Sequence, residues 1–147
     1  MVKKLFGFFR RNSSAKKRAR REQQREQELL ERIRYRLEIE KDYLDVDFSE
    51  EILARNVATN ITSLSRVINK RFGMNFRRLI NGYRIEYAVS LMTKDPKMKL
   101  YSVSYESGFR SPETFKMAFL TIKGECPSDF LKRQRLKCPS NCVEEEQ

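Results

Sequence analysis

The 147-residue sequence predicts an all-α fold in which two tandem helix-turn-helix units are bridged by a long helix, a homeodomain-like arrangement. Three observations predict it. Apolar residues recur at helical spacing along most of the chain. Local start and stop signals, Asn or Ser before a stretch and Gly after it, divide that pattern into short helices. The segment around residues 53–79 also returns around 103–130 at a nearly fixed offset.

Residues 1–21 read as a basic, poorly structured arm, with Asn12-Ser13-Ser14 as a break. A helix is expected over 22–45, where Leu30, Ile33, Leu37 and Leu44 fall near one face, and Asp45-Val46-Asp47 then turns the chain. A short helix starts after Ser49, with Glu50 and Glu51 complementing its positive end and Ile52, Leu53, Ala54 and Val57 facing inward. Asn60 caps the next helix, Ile61 to about Phe72, which buries Leu64, Val67, Ile68 and Phe72 and stops at Gly73. The bridging helix covers about Asn75 to Thr93, with Phe76, Leu79, Ile80, Tyr83, Ala88, Leu91 and Met92 as its buried stripe, and Asp95-Pro96 ends it.

The pattern then restarts. A short helix carries Leu100, Val103 and Ser104, a turn holds Gly108, and Ser111-Pro112 opens a new helix with a capping hydroxyl and a proline at its first position. Phe115, Ala118 and Phe119 are its inner face and Gly124 its end. Pro127-Ser128-Asp129 opens a final short helix through Phe130 and Leu131, and residues 136–147 read as a disordered tail. In the repeat, Leu53 and Ala54 pair with Val103 and Ser104, and Ala58 with Gly108, at an offset of 50. Leu64, Ile68, Gly73 and Leu79 pair with Phe115, Phe119, Gly124 and Phe130 at 51, so the second turn is one residue longer. Each copy is a short helix, a tight turn and a second helix with a polar outer face, the geometry whose second helix can enter a major groove.

Composition narrows the function classes. The net charge of +11 favours a polyanionic partner, but nine of the cations lie in residues 1–21 with no acid, so the rest of the chain is nearly balanced. With no histidine, histidine-dependent catalysis and histidine metal ligation are excluded. Cys126, Cys138 and Cys142 are too few for a four-ligand zinc site, and their odd number argues against a closed disulfide framework. No acid/base pair or phosphate-cradling loop points to an enzyme, and no metal or cofactor is expected. No stretch reaches the ~20 apolar residues that span a bilayer, so a cytoplasmic protein is expected. A second class remains open: Phe6, Phe8 and Phe9 among the basic residues could insert at an anionic membrane surface, making the chain a peripheral membrane or interaction protein.

Several stretches in order carry a resemblance. They are Leu64-Ser65-Arg66-Val67-Ile68-Asn69, Phe72-Gly73-Met74-Asn75-Phe76 and Tyr83-Arg84-Ile85-Glu86-Tyr87-Ala88, followed by Gly108-Phe109, Phe115-Lys116-Met117-Ala118-Phe119 and Cys126-Pro127-Ser128-Asp129-Phe130. Over roughly Tyr43 to Arg133 the sequence resembles the DNA-binding domain of the AraC/XylS family of bacterial transcription regulators, and Asp45 to Asn69 is most similar in style to regulators of Bacteroidetes-type bacteria. The resemblance implies a sequence-specific regulator, with a double helix-turn-helix domain over 46–135 that reads successive major-groove segments. Double-stranded DNA is the implied partner, with RNA polymerase a further candidate. The bridging helix, ~28 Å long at ~1.5 Å per residue, is compatible with recognition helices about one DNA turn, ~34 Å, apart. Only about 45 residues precede the domain, too few for a separate ligand-sensing module. The expectation is a stand-alone regulator or the C-terminal piece of a larger sensor-regulator.

By the same resemblance the base-facing positions are Thr62, Ser65 and Arg66 on the first recognition helix and Pro112, Glu113, Thr114 and Met117 on the second. Arg66 could bond bidentately to guanine, Glu113 accept from cytosine, and Thr114 or Met117 pack on a thymine methyl. Phosphate anchoring falls to Lys70, Arg71, Arg77, Arg78, Lys116 and Lys123, near helix ends. The sequence departs from the family where Ala58 replaces a turn glycine, Ser104 replaces a small apolar alanine, and Cys126 replaces a Ser/Thr cap. Ile61 and Ser63 likewise stand where polar and aromatic residues are common.

Overall fold

The computed structural model describes residues 3–137, with side chains from Ser14 onward. Within that range lie seven α-helices and no strand. The chain forms two compact units. The first takes residues up to Glu40 together with Glu50–Met74, and the second takes Lys41–Ser49 together with the chain from Asn75 on.

In the first unit, α1 (Lys3–Arg34) is followed by a π-helical turn (Tyr35–Ile39), α2 (Glu50–Asn56) and α3 (Ile61–Phe72). Two expectations need correction here. The backbone is helical from Lys3 rather than from about Glu22, so the stretch read as a poorly structured arm belongs to α1. Its Ala, Arg and Lys, followed by Gln and Glu from residue 22 on, are strong helix formers, and they outweigh Asn12-Ser13-Ser14. The helix also does not reach Asp45. It widens into the π turn and stops at Glu40, and Lys41 takes a left-handed conformation (φ 55°) that no continuing helix accepts.

Leu29, Leu30, Ile33 and Leu37 form the buried face of this segment, and α1 packs on α3 along it. Leu53, Ala54 and Val57 from α2, and Leu64, Val67 and Ile68 from α3, are likewise buried. Each fully buried aliphatic side chain contributes roughly 1.5–3 kcal/mol over leaving it in water. Asn60 caps α3 by accepting from the Ser63 N–H (2.8 Å), and Gly73 (φ 68°) closes it. The turn between α2 and α3 passes through Ala58 at φ 52°.

The second unit holds a single 3₁₀ turn (Asp42–Leu44), α4 (Phe76–Lys94), α5 (Leu100–Glu106), α6 (Pro112–Lys123) and α7 (Pro127–Lys137). α4 contacts α5, α6 and α7. Ile85, Ala88 and Met92 of α4 meet Val103, Phe109, Phe115, Phe119, Phe130 and Leu131 in one core. Four of its rings, Phe109, Phe115, Phe119 and Phe130, follow one another edge to face at 5.4, 5.7 and 5.6 Å. Asn75 caps α4 through the Arg78 N–H (2.9 Å), and Ser111 caps α6 through the Thr114 N–H (3.2 Å), with Pro112 in the first turn. α7 runs on to Lys137, beyond the short helix expected, and Cys138 and Cys142 lie outside the described residues.

Arg84 ties α4 to the connecting segment. Its Nε donates to the Tyr43 carbonyl (2.7 Å) and its Nη2 to that of Asp45 (2.8 Å). Burial holds the guanidinium below its ordinary pKa, while the Asp45 charge opposes the shift. Gly108 lies against the same Tyr43 carbonyl and against that of Leu44. At φ +82° a methyl group there would come within 2.6 Å of the Tyr43 oxygen and 2.9 Å of the Leu44 oxygen, so both the turn and the close approach require glycine.

Candidate nucleic-acid interface

Residues 57–60 separate α2 from α3, and residues 107–111 separate α5 from α6, which is the extra residue the repeat predicts. Both second helices begin at a side-chain cap and turn an apolar face inward. Their outer faces are where the expected base-reading residues lie.

On α3, Thr62 and Arg66 are exposed on successive turns. Asn69, not among the expected contacts, continues the same edge, with its amide nitrogen donating to the Ser65 carbonyl (2.9 Å). Ser65 is different. It is partly buried, and its hydroxyl donates to the Glu50 carboxylate of α2, so its proton is already committed. Sequence reasoning missed this because the two residues share no helix face and meet only when α2 folds against α3.

Lys70 and Arg71 at the end of α3 are also engaged. The Lys70 ammonium and the Arg71 guanidinium both hold the Glu26 carboxylate of α1, at 2.7 and 2.9 Å. The Lys70 hydrogen bond, and more weakly the Arg71 one, keep that carboxyl below its ordinary pKa against the opposing effect of burial. Nothing in the local sequence around Lys70 announces Glu26, which lies 44 residues earlier.

In the second unit, Glu113, Thr114, Lys116 and Met117 are exposed on α6, whereas Pro112 is partly buried. The Thr114 hydroxyl lies 3.0 Å from that of Ser111, inside the capping turn. Met117 leaves 63% of its surface open. Arg77 and Arg78 are exposed in the first turn of α4. Lys123 is partly buried and paired with Glu86, so it is less available than the others. Arg110, which sequence reasoning passed over, stands exposed just before the α6 cap and pairs with Asp47. Tyr101 and Tyr105 are exposed on α5 with ring centroids 4.7 Å apart.

Among the described residues no group of His, Cys, Asp and Glu is placed to hold a metal ion, and no helix is long and apolar enough to cross a membrane. The side chains of Phe6, Phe8 and Phe9 lie outside the described residues.

Comparison with known proteins matches residues 53–133 to the family described as a helix-turn-helix domain. The TCP pilus virulence regulatory protein of Vibrio cholerae serotype O1 is 38% identical over 73 residues, which cover 50% of this chain and 26% of that protein. This chain therefore corresponds to about a quarter of that relative's length. Among solved structures, ToxT from Vibrio cholerae O395 is 31% identical, with a TM-score of 0.52 over 58% of this chain and 32% of that one. The DNA-binding domain of AdpA, a global transcriptional factor solved with a target DNA, has a TM-score of 0.66 at 21% identity, over 76% of this chain and 96% of that one. The C-terminal domain of AraT, a response regulator from Geobacillus stearothermophilus, shares the fold with a TM-score of 0.65 at 21% identity, over 82% of this chain and 93% of that one.

Proposed function

Since the chain belongs to the AraC/XylS family of helix-turn-helix domains, we propose that it is a DNA-binding transcription regulator in which α3 and α6 each read a major groove. The observation that carries this reading is the outer edge of α3. Thr62, Arg66 and Asn69 stand in file on a capped helix whose other face is anchored by Leu64, Val67 and Ile68. Short polar side chains and an arginine in that order can donate and accept at base edges, and the arginine can take guanine O6 and N7 together. The likeness to a domain solved with its target DNA supports the same use.

The two units contribute unequally in this reading. α3 brings an arginine and an amide to the bases. α6 brings Glu113, Thr114 and Met117, which suit a cytosine amine and a thymine methyl, with Lys116, Arg77 and Arg78 on phosphates. Lys70 and Arg71 share the Glu26 carboxylate, which competes with phosphate for them.

Selection of bound fragments from random DNA with the purified chain tests the proposal, and the expected result is a motif in two parts. Arg66→Ala should then weaken binding to the selected duplex by about 1–3 kcal/mol and leave a scrambled duplex almost unaffected. An equal loss on both duplexes would remove Arg66 from base readout.

A further inference from the structure

α1 carries a stripe of arginines that the helix-turn-helix repeat does not use. Arg18, Arg21, Arg25 and Arg32 are spaced so that, at ~100° per residue, they fall within about one sixth of the helix circumference. They line one wall of an open cleft of about 710 Å³, whose other wall is α3 with Arg66 and Lys70. Leu29 and Val67 lie at its floor. Glu26 in the same cleft already holds Lys70 and Arg71. Among the described residues no carboxylate pairs with Arg18, Arg21 or Arg25, and all three are exposed. Glu22 and Glu28 are the remaining acids of the cleft, and Glu28 accepts from Gln24 (3.1 Å).

We infer that this stripe is a second phosphate-binding wall, holding the sugar–phosphate backbone of the DNA strand that borders the groove entered by α3. The inference rests on the proposed DNA-binding function and adds to it a site outside the repeat. The charge pattern selects the ligand. Cations one or two helical turns apart over ~21 Å, from Arg18 to Arg32, match a linear array of phosphates rather than one small anion. Guanidinium groups bond phosphate oxygens in pairs and lose little on leaving water. Their place beside Arg66 lets one strand touch α1 with its phosphates while its bases face α3.

The stripe carries no base-reading geometry, so its contribution is the same for every sequence and strongly dependent on salt. Each arginine that neutralises one phosphate adds about 0.9 to the slope of log affinity against log salt. The test compares two triple variants of the whole chain with equal loss of charge. Arg18→Gln/Arg21→Gln/Arg25→Gln removes three of the four stripe arginines. Lys16→Gln/Arg20→Gln/Arg34→Gln removes three cations from the opposite face of α1. Glutamine is a good helix former, so both should keep their helicity, which circular dichroism checks.

On a selected and a scrambled duplex alike, the stripe variant should lower the slope by about 2–3, and the opposite-face variant by less than 1. Equal slopes for the two variants, or an unchanged slope for the stripe variant, would overturn the inference. So would a stripe variant that binds DNA normally but no longer binds vesicles rich in anionic lipid, which would assign the arginines to a membrane surface. If the unmutated chain binds neither duplex, the DNA-binding reading itself fails and takes this inference with it.

Discussion

Gly108→Ala should destabilise the second unit far more than its size suggests, by about 3–5 kcal/mol. Two costs add. A non-glycine residue at positive φ costs about 1–2 kcal/mol. The new methyl would also meet the Tyr43 oxygen at 2.6 Å, the Leu44 oxygen at 2.9 Å and Arg84 Nε at 3.0 Å. Backbone cannot yield as a flexible side chain does, so relief requires residues 43–45 to draw back from α4. That stretches the bonds from Arg84 to Tyr43 and Asp45, 2.7 and 2.8 Å long. A hydrogen bond from a charged group contributes about 1.5–3 kcal/mol.

Gly73→Ala is the matched control, because φ is also positive (+68°) but nothing lies within 4 Å of the new methyl. It should cost only about 1 kcal/mol. Urea unfolding of both variants, read by the shift in midpoint at constant slope, gives the comparison. Equal losses would refute the reasoning, since they would leave only the φ cost and give the Tyr43 and Leu44 carbonyls no role.

Further outcomes follow from single residues. Ala58→Gly should stabilise the first unit by about 0.5–1 kcal/mol, because Ala58 bears a left-handed φ of 52° in the turn equivalent to that of Gly108, and the same urea series would show it. Ser104→Ala should raise the melting temperature by several degrees, corresponding to about 1 kcal/mol, because the Ser104 hydroxyl is fully buried without a hydrogen-bond partner. A lower melting temperature would show that the hydroxyl is satisfied.

Glu26→Gln frees Lys70 and Arg71. It should tighten binding to a scrambled duplex and steepen its salt slope by about 1–2, with an unchanged slope counting against the exchange of carboxylate for phosphate. The same pair gives a pH dependence. The Glu26 pKa is lowered in the folded chain, so its contribution is complete above the ordinary value of 4.5 and is lost as pH falls through the lower folded value. Glu26→Gln should flatten that acid limb of a stability profile.

The caps were legible because they are local. Asn60, Asn75 and Ser111 each bond an amide three residues on, and Gly73 and Gly124 close helices with their own backbones. The inner faces of α3 and α6 were legible from apolar spacing for the same reason. The end of α1 was not, because the apolar spacing runs on through Leu44 while the backbone has already turned at Lys41. Nor was its start, where good helix formers override an Asn-Ser-Ser sequence. The site was half legible. Thr62 and Arg66 could be placed by register alone. The ties of Ser65 to Glu50, and of Lys70 and Arg71 to Glu26, depend on which helices pack together, which periodicity does not encode.

The path of the chain between the two units has a genetic consequence. Lys41–Ser49 belongs to the second unit, yet the chain before it and Glu50–Met74 after it belong to the first. The boundaries of the sequence repeat are therefore not the boundaries of the folded units. A break anywhere from residue 50 to 74 parts Tyr43 and Asp45 from the Arg84 they hold, and one before 41 strips α1 from α3. A recombination event that exchanged the second helix-turn-helix between relatives by a single break within residues 50–74 would have to bring Arg84 and Gly108 to a segment that meets them as residues 43–45 do here. The sequence repeat and the folded units therefore divide the chain at different places.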